Sequence, residues 1–218
     1  VRAYLRRLDS PFTDEVKAAV AAVLLRAEVG DVAAFEQALD ALRPQRLPLL
    51  LVVQALRRAP ASGQVIGELR QAALRVLAHE AATATLLVNL ATSAGVPALT
   101  AALRELAARG LLHAEALAAA KAGASELTAA DAESLEQQLQ HDPNDGLRLL
   151  AVTALAGGAG PSQGWTPARR ARLREYQRDP SPLVSGSAQF IFPPAELPPE
   201  PALPSTSPSS RKEESSAG

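Results

Sequence analysis

Two stretches of this chain open with the same turn. Asp142-Pro143-Asn144-Asp145-Gly146 leads into Leu147-Arg148-Leu149-Leu150-Ala151-Val152-Thr153-Ala154-Leu155, and 37 residues on Asp179-Pro180-Ser181-Pro182 leads into Leu183-Val184-Ser185-Gly186-Ser187-Ala188-Gln189-Phe190-Ile191-Phe192. A third relative stands near the front, where Asp9-Ser10-Pro11 passes through Thr13-Asp14-Glu15 into Val16-Lys17-Ala18-Ala19-Val20. A turn plus helix that returns at this period narrows the choice of fold sharply. One such unit cannot bury its apolar face alone and must stack on its neighbours, so the expectation is an all-α chain coiled as an α-α superhelix.

The residues between these stretches carry the same punctuation. Ser10 before Pro11 and Thr13 before two acids compete as the start of one helix, and Asp31, Ser62, Pro97, Thr128 and Thr166-Pro167 start others, because a hydroxyl or carboxylate caps free N–H groups and Pro suits the first turn. Gly30, Pro44, Gly95, Gly110 and Gly123 are stops. Val1 to Leu8 reads as the end of a helix. Leu47 to Leu56 is apolar almost all round and could pass for a buried strand, but its leucine content and the Arg57-Arg58 ending predict helix. Leu111 to Lys121 is an alanine-rich helix, and Gly157 to Gly164 a glycine-rich loop. If the helices pair, first helices begin near residues 31, 62, 97, 128 and 166, at steps of 31, 35, 31 and 38 residues. Beyond Phe192 apolar periodicity vanishes and Pro, Ser and Glu take over. The domain is therefore set at 1–192 and a disordered tail at 193–218.

Residues 128–157 and 166–192 resemble HEAT repeats, with a first helix, a turn built on Asp-Pro, and a second helix of small and apolar residues. Leu147-Arg148 followed by Ala151 and Ala154-Leu155 is similar to the Val-Arg, Ala and Ala-Leu positions of that family. In the last unit Val184-Ser185 departs from Val-Arg, and the middle of the chain matches only in helix length and apolar spacing. The resemblance implies a right-handed helical solenoid serving as a scaffold or binding surface, and it transfers no catalytic residue. Tetratricopeptide repeats fit less well, since their Trp, Gly and Tyr positions in the first helix have no counterpart.

Composition removes several chemistries. With 22 basic and 23 acidic residues the formal charge is -1, so no global field draws in nucleic acid or an anionic membrane. The absence of cysteine removes disulfides, thiolate metal sites and a cysteine nucleophile. His79, His113 and His141 are never three or four residues apart, as helical metal ligands would be. The segment 157–164 lacks the Lys-Ser or Lys-Thr ending of a phosphate loop, and no Gly-x-Ser-x-Gly elbow occurs. No apolar run reaches the about 18 residues of a membrane span. Methionine is absent even at position 1, which leaves a processed or exported chain, a fragment, or a start codon written as Val as open alternatives, and the compartment unknown.

Catalytic, cofactor and metal residues are thus expected to be none. The most suggestive surface is the helix after Trp165. There Arg170, Arg174 and Arg178 lie four apart on one stripe, flanked by Arg169 and Arg172, with Trp165 or Tyr176 placed for stacking. Trp165, Arg169, Arg170, Arg174 and Arg178 are the candidate contacts for an acidic protein partner. The competing reading is a solvated face paired with Glu175 and Asp179, and no second basic helix continues a nucleic-acid track. Pro198, Pro201 and Pro204 lie three apart, a polyproline II spacing that equally suits a plain linker. The expected function is a non-catalytic protein-interaction scaffold. Two alternatives stand beside it: a helical-repeat domain that binds a nucleotide, nucleic acid or small ligand in its concave face, and a piece of a larger structural solenoid.

Overall fold

The computed structural model describes residues 12–59, 64–160 and 164–194, and among them all regular structure is helical. Eleven α-helices follow one another: α1 (Asp14–Val29), α2 (Val32–Leu42), α3 (Arg46–Arg58), α4 (Gln64–Leu77), α5 (Ala84–Ser93), α6 (Val96–Ala108), α7 (Ala114–Ser125), α8 (Ala129–Leu139), α9 (Asp145–Ala159), α10 (Pro167–Tyr176) and α11 (Pro182–Gln189). A single 3-10 turn, Ala81–Thr83, precedes α5. Helices α2, α4, α6, α8 and α10 start within two residues of the positions expected near 31, 62, 97, 128 and 166, although α6 packs on α5 rather than on α7. The readings of residues 1–11, of Ser62 as a cap and of 195–218 as tail lie outside the described residues.

Short polar side chains set five of the starts. Thr13, Asp31, Thr128, Asn144 and Thr166 each accept the N–H three residues on, satisfying a donor that the first helical turn leaves free. Gly30 ends α1 in the left-handed region, at φ 79°, with its N–H on the Ala27 carbonyl.

Four expectations are corrected. Asn144, two residues past Asp142, is the cap of α9, and Asp142 instead accepts the Asn144 N–H at 3.0 Å. α7 starts at Ala114 with His113 as its cap, and runs through Gly123 to Ser125. α9 continues through Gly157 and Gly158 to Ala159, because Gly158 sits against Ala132 of α8 where the chain still has packing to make. Thr128 with Asp131 three residues on has the spacing of a capping box, with Asp in place of the usual Glu or Gln, and closes differently from it: the Thr128 hydroxyl donates to the Asp131 carboxylate at 2.8 Å, since Asp is one methylene shorter than Glu.

Packing follows chain order. The principal contacts join each helix to the next or the next but one. The odd-numbered helices form a continuous row from α1 to α11, and its inner members are buried on more than one side. α9 shows why: Leu147, Leu149, Leu150, Ala151, Val152, Ala154 and Leu155 are all buried, so it is apolar around its whole circumference, as a helix wrapped by α7, α8, α10 and α11 must be. In the even row α2 packs on α4 and α6 on α8, whereas α4 and α6, and α8 and α10, do not pack closely.

The turns after α2, α4, α6, α8 and α10 are tied to one another by polar contacts, two of them made by arginines of adjoining helices, Arg104 of α6 and Arg148 of α9. Arg43 reaches Glu80 at 2.6 Å, Arg109 reaches His79 at 3.2 Å, and His113 reaches the Ala81 carbonyl at 2.9 Å. Arg104 reaches Asp142 at 3.2 Å and Arg148 reaches Asp179 at 2.8 Å. Separations along the chain are 37, 30, 32, 38 and 31 residues respectively. Two further buried groups close helix ends: Arg70 of α4 donates to the carbonyls of Leu56 and Ala59 beyond α3, and Thr83 donates to that of Leu77 at the end of α4. Each satisfies a carbonyl that its own helix cannot.

Candidate interaction surfaces

The two openings in the even row are treated differently by the sequence. Between α4 and α6 the opening is a cleft of about 770 Å³. Leu74 and Ala78 on one wall, Ala98, Ala101 and Ala102 on the other, and Leu87 at the floor give it an apolar interior. Alanine places little beyond Cβ, so another backbone can approach these walls closely. The rim is charged, but its charges already have partners. Arg75 holds Glu36 through two bonds of 2.7 and 3.2 Å, and Arg109 lies between Glu105 at 2.5 Å and His79. The Arg75 bonds keep the Glu36 carboxyl below the ordinary carboxylate range.

Between α8 and α10 the opening is filled. Glu136 is wholly buried on α8, and the Tyr176 hydroxyl of α10 donates to it at 3.1 Å. Arg172 brings its Nε to within 3.2 Å of the second Glu136 oxygen, in an ion pair whose angle leaves both atoms without a hydrogen bond. Arg169 holds Glu133 at 3.0 Å. Burial raises the Glu136 carboxyl above its usual range, against the opposing pull of Arg172 and the Tyr176 hydroxyl. The same burial, beside a carboxylate, drives the Tyr176 phenol well upward.

The residues singled out after Trp165 are therefore divided. Arg169 turns inward, bonding the carbonyls of Gly158 and Gly164 as well as Glu133. Arg170 donates to the carbonyls of Trp165 and Pro194, which folds the segment after α11 back onto α10. Trp165 is half-buried against the core. Arg174 and Arg178 remain exposed. The expected ion pairing of this helix with Asp179 gives way to a longer reach, because Asp179 is occupied by Arg148, and Glu133 and Glu136 receive Arg169 and Arg172.

No family model, curated protein or solved structure matches this chain. The local chemistry has to carry the functional reading. Among the described residues no three His, Asp or Glu side chains gather as metal ligands, and no helix is long and apolar enough to cross a membrane. A further opening of about 750 Å³, between α6 and the Asp142 turn, is lined by Arg104, Gln137, Gln138, His141 and Asn144, with Ala107 and Ala108 behind them.

Sequence reasoning passed over both openings. Ala98, Ala101 and Ala102 stand at i, i+3 and i+4 of α6, a spacing of small residues that keeps one face of the helix thin. Glu136 sits at a core position of the stripe Ala132, Leu135, Leu139, and a lone carboxylate there was the available signal for a buried polar cluster.

Proposed function

We propose that this chain is a non-catalytic protein-interaction scaffold built as a HEAT-like helical solenoid, and that the cleft between α4 and α6 receives an apolar-faced helix of a protein partner. The cleft carries the reading. The row of even-numbered helices is interrupted there, the interior is alanine and leucine, and the rim charges are already paired, which favours an occupant that brings apolar surface rather than net charge. The solenoid part draws support from neighbour-only packing and from polar ties recurring at 30 to 38 residues.

The test is capture of a partner with three baits: the full chain, the chain with Ala101→Arg, and the chain with Arg174→Glu and Arg178→Glu. Ala101 is exposed, so the arginine blocks the cleft without filling the core. A partner kept by the third bait and lost from the second supports docking in the cleft. Loss from the third alone assigns docking to the exposed arginines of α10 and its end. Equal retention by all three would sink both surfaces.

A second reading has one observation behind it: at about 770 Å³ the cleft falls within the usual size of small-molecule sites. Ligand-dependent thermal stabilisation by a nucleotide or other small molecule, abolished by Ala101→Arg, would favour that reading over the helix.

A further inference from the structure

Helix α6 contributes to two openings. Ala98, Ala101 and Ala102 line the cleft toward α4, while Ala107 and Ala108, from the last turn of the same helix, line the opening of about 750 Å³ toward the Asp142 turn. The chemistry of the two differs. Carboxamides dominate the polar lining of the latter: Gln137 and Gln138 at the end of α8, and Asn144 in the turn, with His141 between them in the chain.

The charges of this lining are spent on one another. Arg104 gives its Nε to the Asp142 carboxylate at 3.2 Å and its Nη2 to the Gln138 carbonyl at 2.7 Å. Asp142 also accepts the Asn144 N–H at 3.0 Å. The carboxamides keep hydrogen-bonding capacity in hand. Gln138 donates from Nε2 to the Ser134 hydroxyl at 3.2 Å, which leaves its Oε1 open. Asn144 uses its Oδ1 as the cap of α9, accepting the Leu147 N–H at 3.2 Å, which leaves its Nδ2 open. Among the described residues nothing engages either end of the exposed Gln137 carboxamide. The opening therefore offers both donors and acceptors and no uncompensated ion pair.

That set selects its ligand. No aromatic side chain lines the opening, so a nucleobase has no ring to stack on. A strongly charged group finds Arg104 and Asp142 already joined. A helix has used its own N–H and C=O groups internally and would leave the carboxamides unmet. An extended peptide carries a free N–H and a free C=O at each residue, and a carboxamide can pair with one of each. Ala107 and Ala108 end at Cβ, so main chain can approach that wall closely. The volume lies within the usual size of binding sites.

We propose that this opening is a binding site for an extended, uncharged peptide segment, held through its main chain by Gln137, Gln138 and Asn144. The site is separate from the α4–α6 cleft and does not depend on a helix docking there.

Main-chain recognition is largely indifferent to sequence, so a capped peptide of alternating serine and valine is a sufficient probe. Titrated into the isotope-labelled full chain, it is expected to move, saturably, the side-chain amide signals of Gln137, Gln138 and Asn144 and the backbone signals of Ala107 and Ala108. The signals of Ala98 and Ala101 are expected to stay in place. A proline peptide of equal length, extended but without N–H groups, is expected to move none of them. Gln137→Glu with Asn144→Asp replaces both donors by acceptors while Asp still caps α9, and is expected to abolish the shifts at Ala107 and Ala108. No shift with the first peptide, an equal response to the proline peptide, movement confined to the α4–α6 cleft, or shifts retained in the double variant would each overturn the site. Ala101→Arg blocks the cleft alone and is expected to leave the titration unchanged, so the two sites fail separately.

Discussion

Arg148 of α9 and Asp179, 31 residues further on, meet in a two-point ion pair, Nε to Oδ2 at 2.8 Å and Nη2 to Oδ1 at 3.0 Å. The same guanidinium donates to the carbonyls of Asp142 and Pro143 in the turn of its own pair. One side chain thus ties two equivalent turns together. The likeness of those turns extends to their caps, since Asn144 and Ser181 share φ -79° and ψ 122°.

Asp179→Asn is expected to destabilise the chain by about 2 kcal/mol at pH 7, as a charge-assisted contact between two mostly buried side chains is lost. Arg148 holds the Asp179 carboxyl below its ordinary range. A depressed carboxyl contributes stability that is present above the unfolded-state value and lost as pH falls through the folded one. The gap between wild type and variant should therefore close below about pH 4, where denaturant titrations at pH 7, 5 and 3 can read it.

Glu136 has the opposite sign. Its carboxyl is raised chiefly by burial, so its contribution is fullest below the ordinary carboxylate value and is lost as pH rises through the folded one. Glu136→Gln keeps an oxygen for the Tyr176 hydroxyl and removes the titration. Its stability relative to wild type is expected to increase from pH 4 to pH 7, and a flat or falling difference in chemical denaturation would contradict this.

Gly123 of α7 faces Thr92 of α5 so closely that an added Cβ would lie 2.8 Å from the Thr92 hydroxyl, which is itself bonded to the Val88 carbonyl. Gly123→Val should lower stability by about 1 to 3 kcal/mol through overpacking. Gly123→Ala combined with Thr92→Ala should instead be more stable than Thr92→Ala alone, by up to about 1 kcal/mol of helix propensity. Thermal melts of the four proteins test the pair.

Leu150 is fully buried in the part of α9 that is apolar all round. Leu150→Ala is expected to cost about 2 to 5 kcal/mol. Loss of cooperative unfolding in the variant would show that the neighbouring pairs depend on α9.

Helix positions were legible because their signals are local. Thr13, Asp31, Thr128 and Thr166 each act on an amide three residues away, and the sequence displays both ends of that interaction. Extent was harder to read where tertiary packing overrides a breaker. Gly123 and Gly157 look like stops, yet both lie in helices pressed against a neighbour, where a missing side chain is an advantage. The openings were not legible at all, since a cleft is a relation between α4 and α6 that neither helix encodes alone. The arginines after Trp165 show the same limit. Their spacing predicts one stripe, but Glu133 and Glu136 lie 36 residues before Arg169 and Arg172, and draw those two inward.

The neighbour-only packing has a consequence for how the chain acquires its structure. Because the principal contacts reach no further than the next helix but one, the loop to be closed at each step is short and nearly constant in length. Folding can then begin at any pair and spread in both directions, and during synthesis the leading helices can settle while the later ones are still being made.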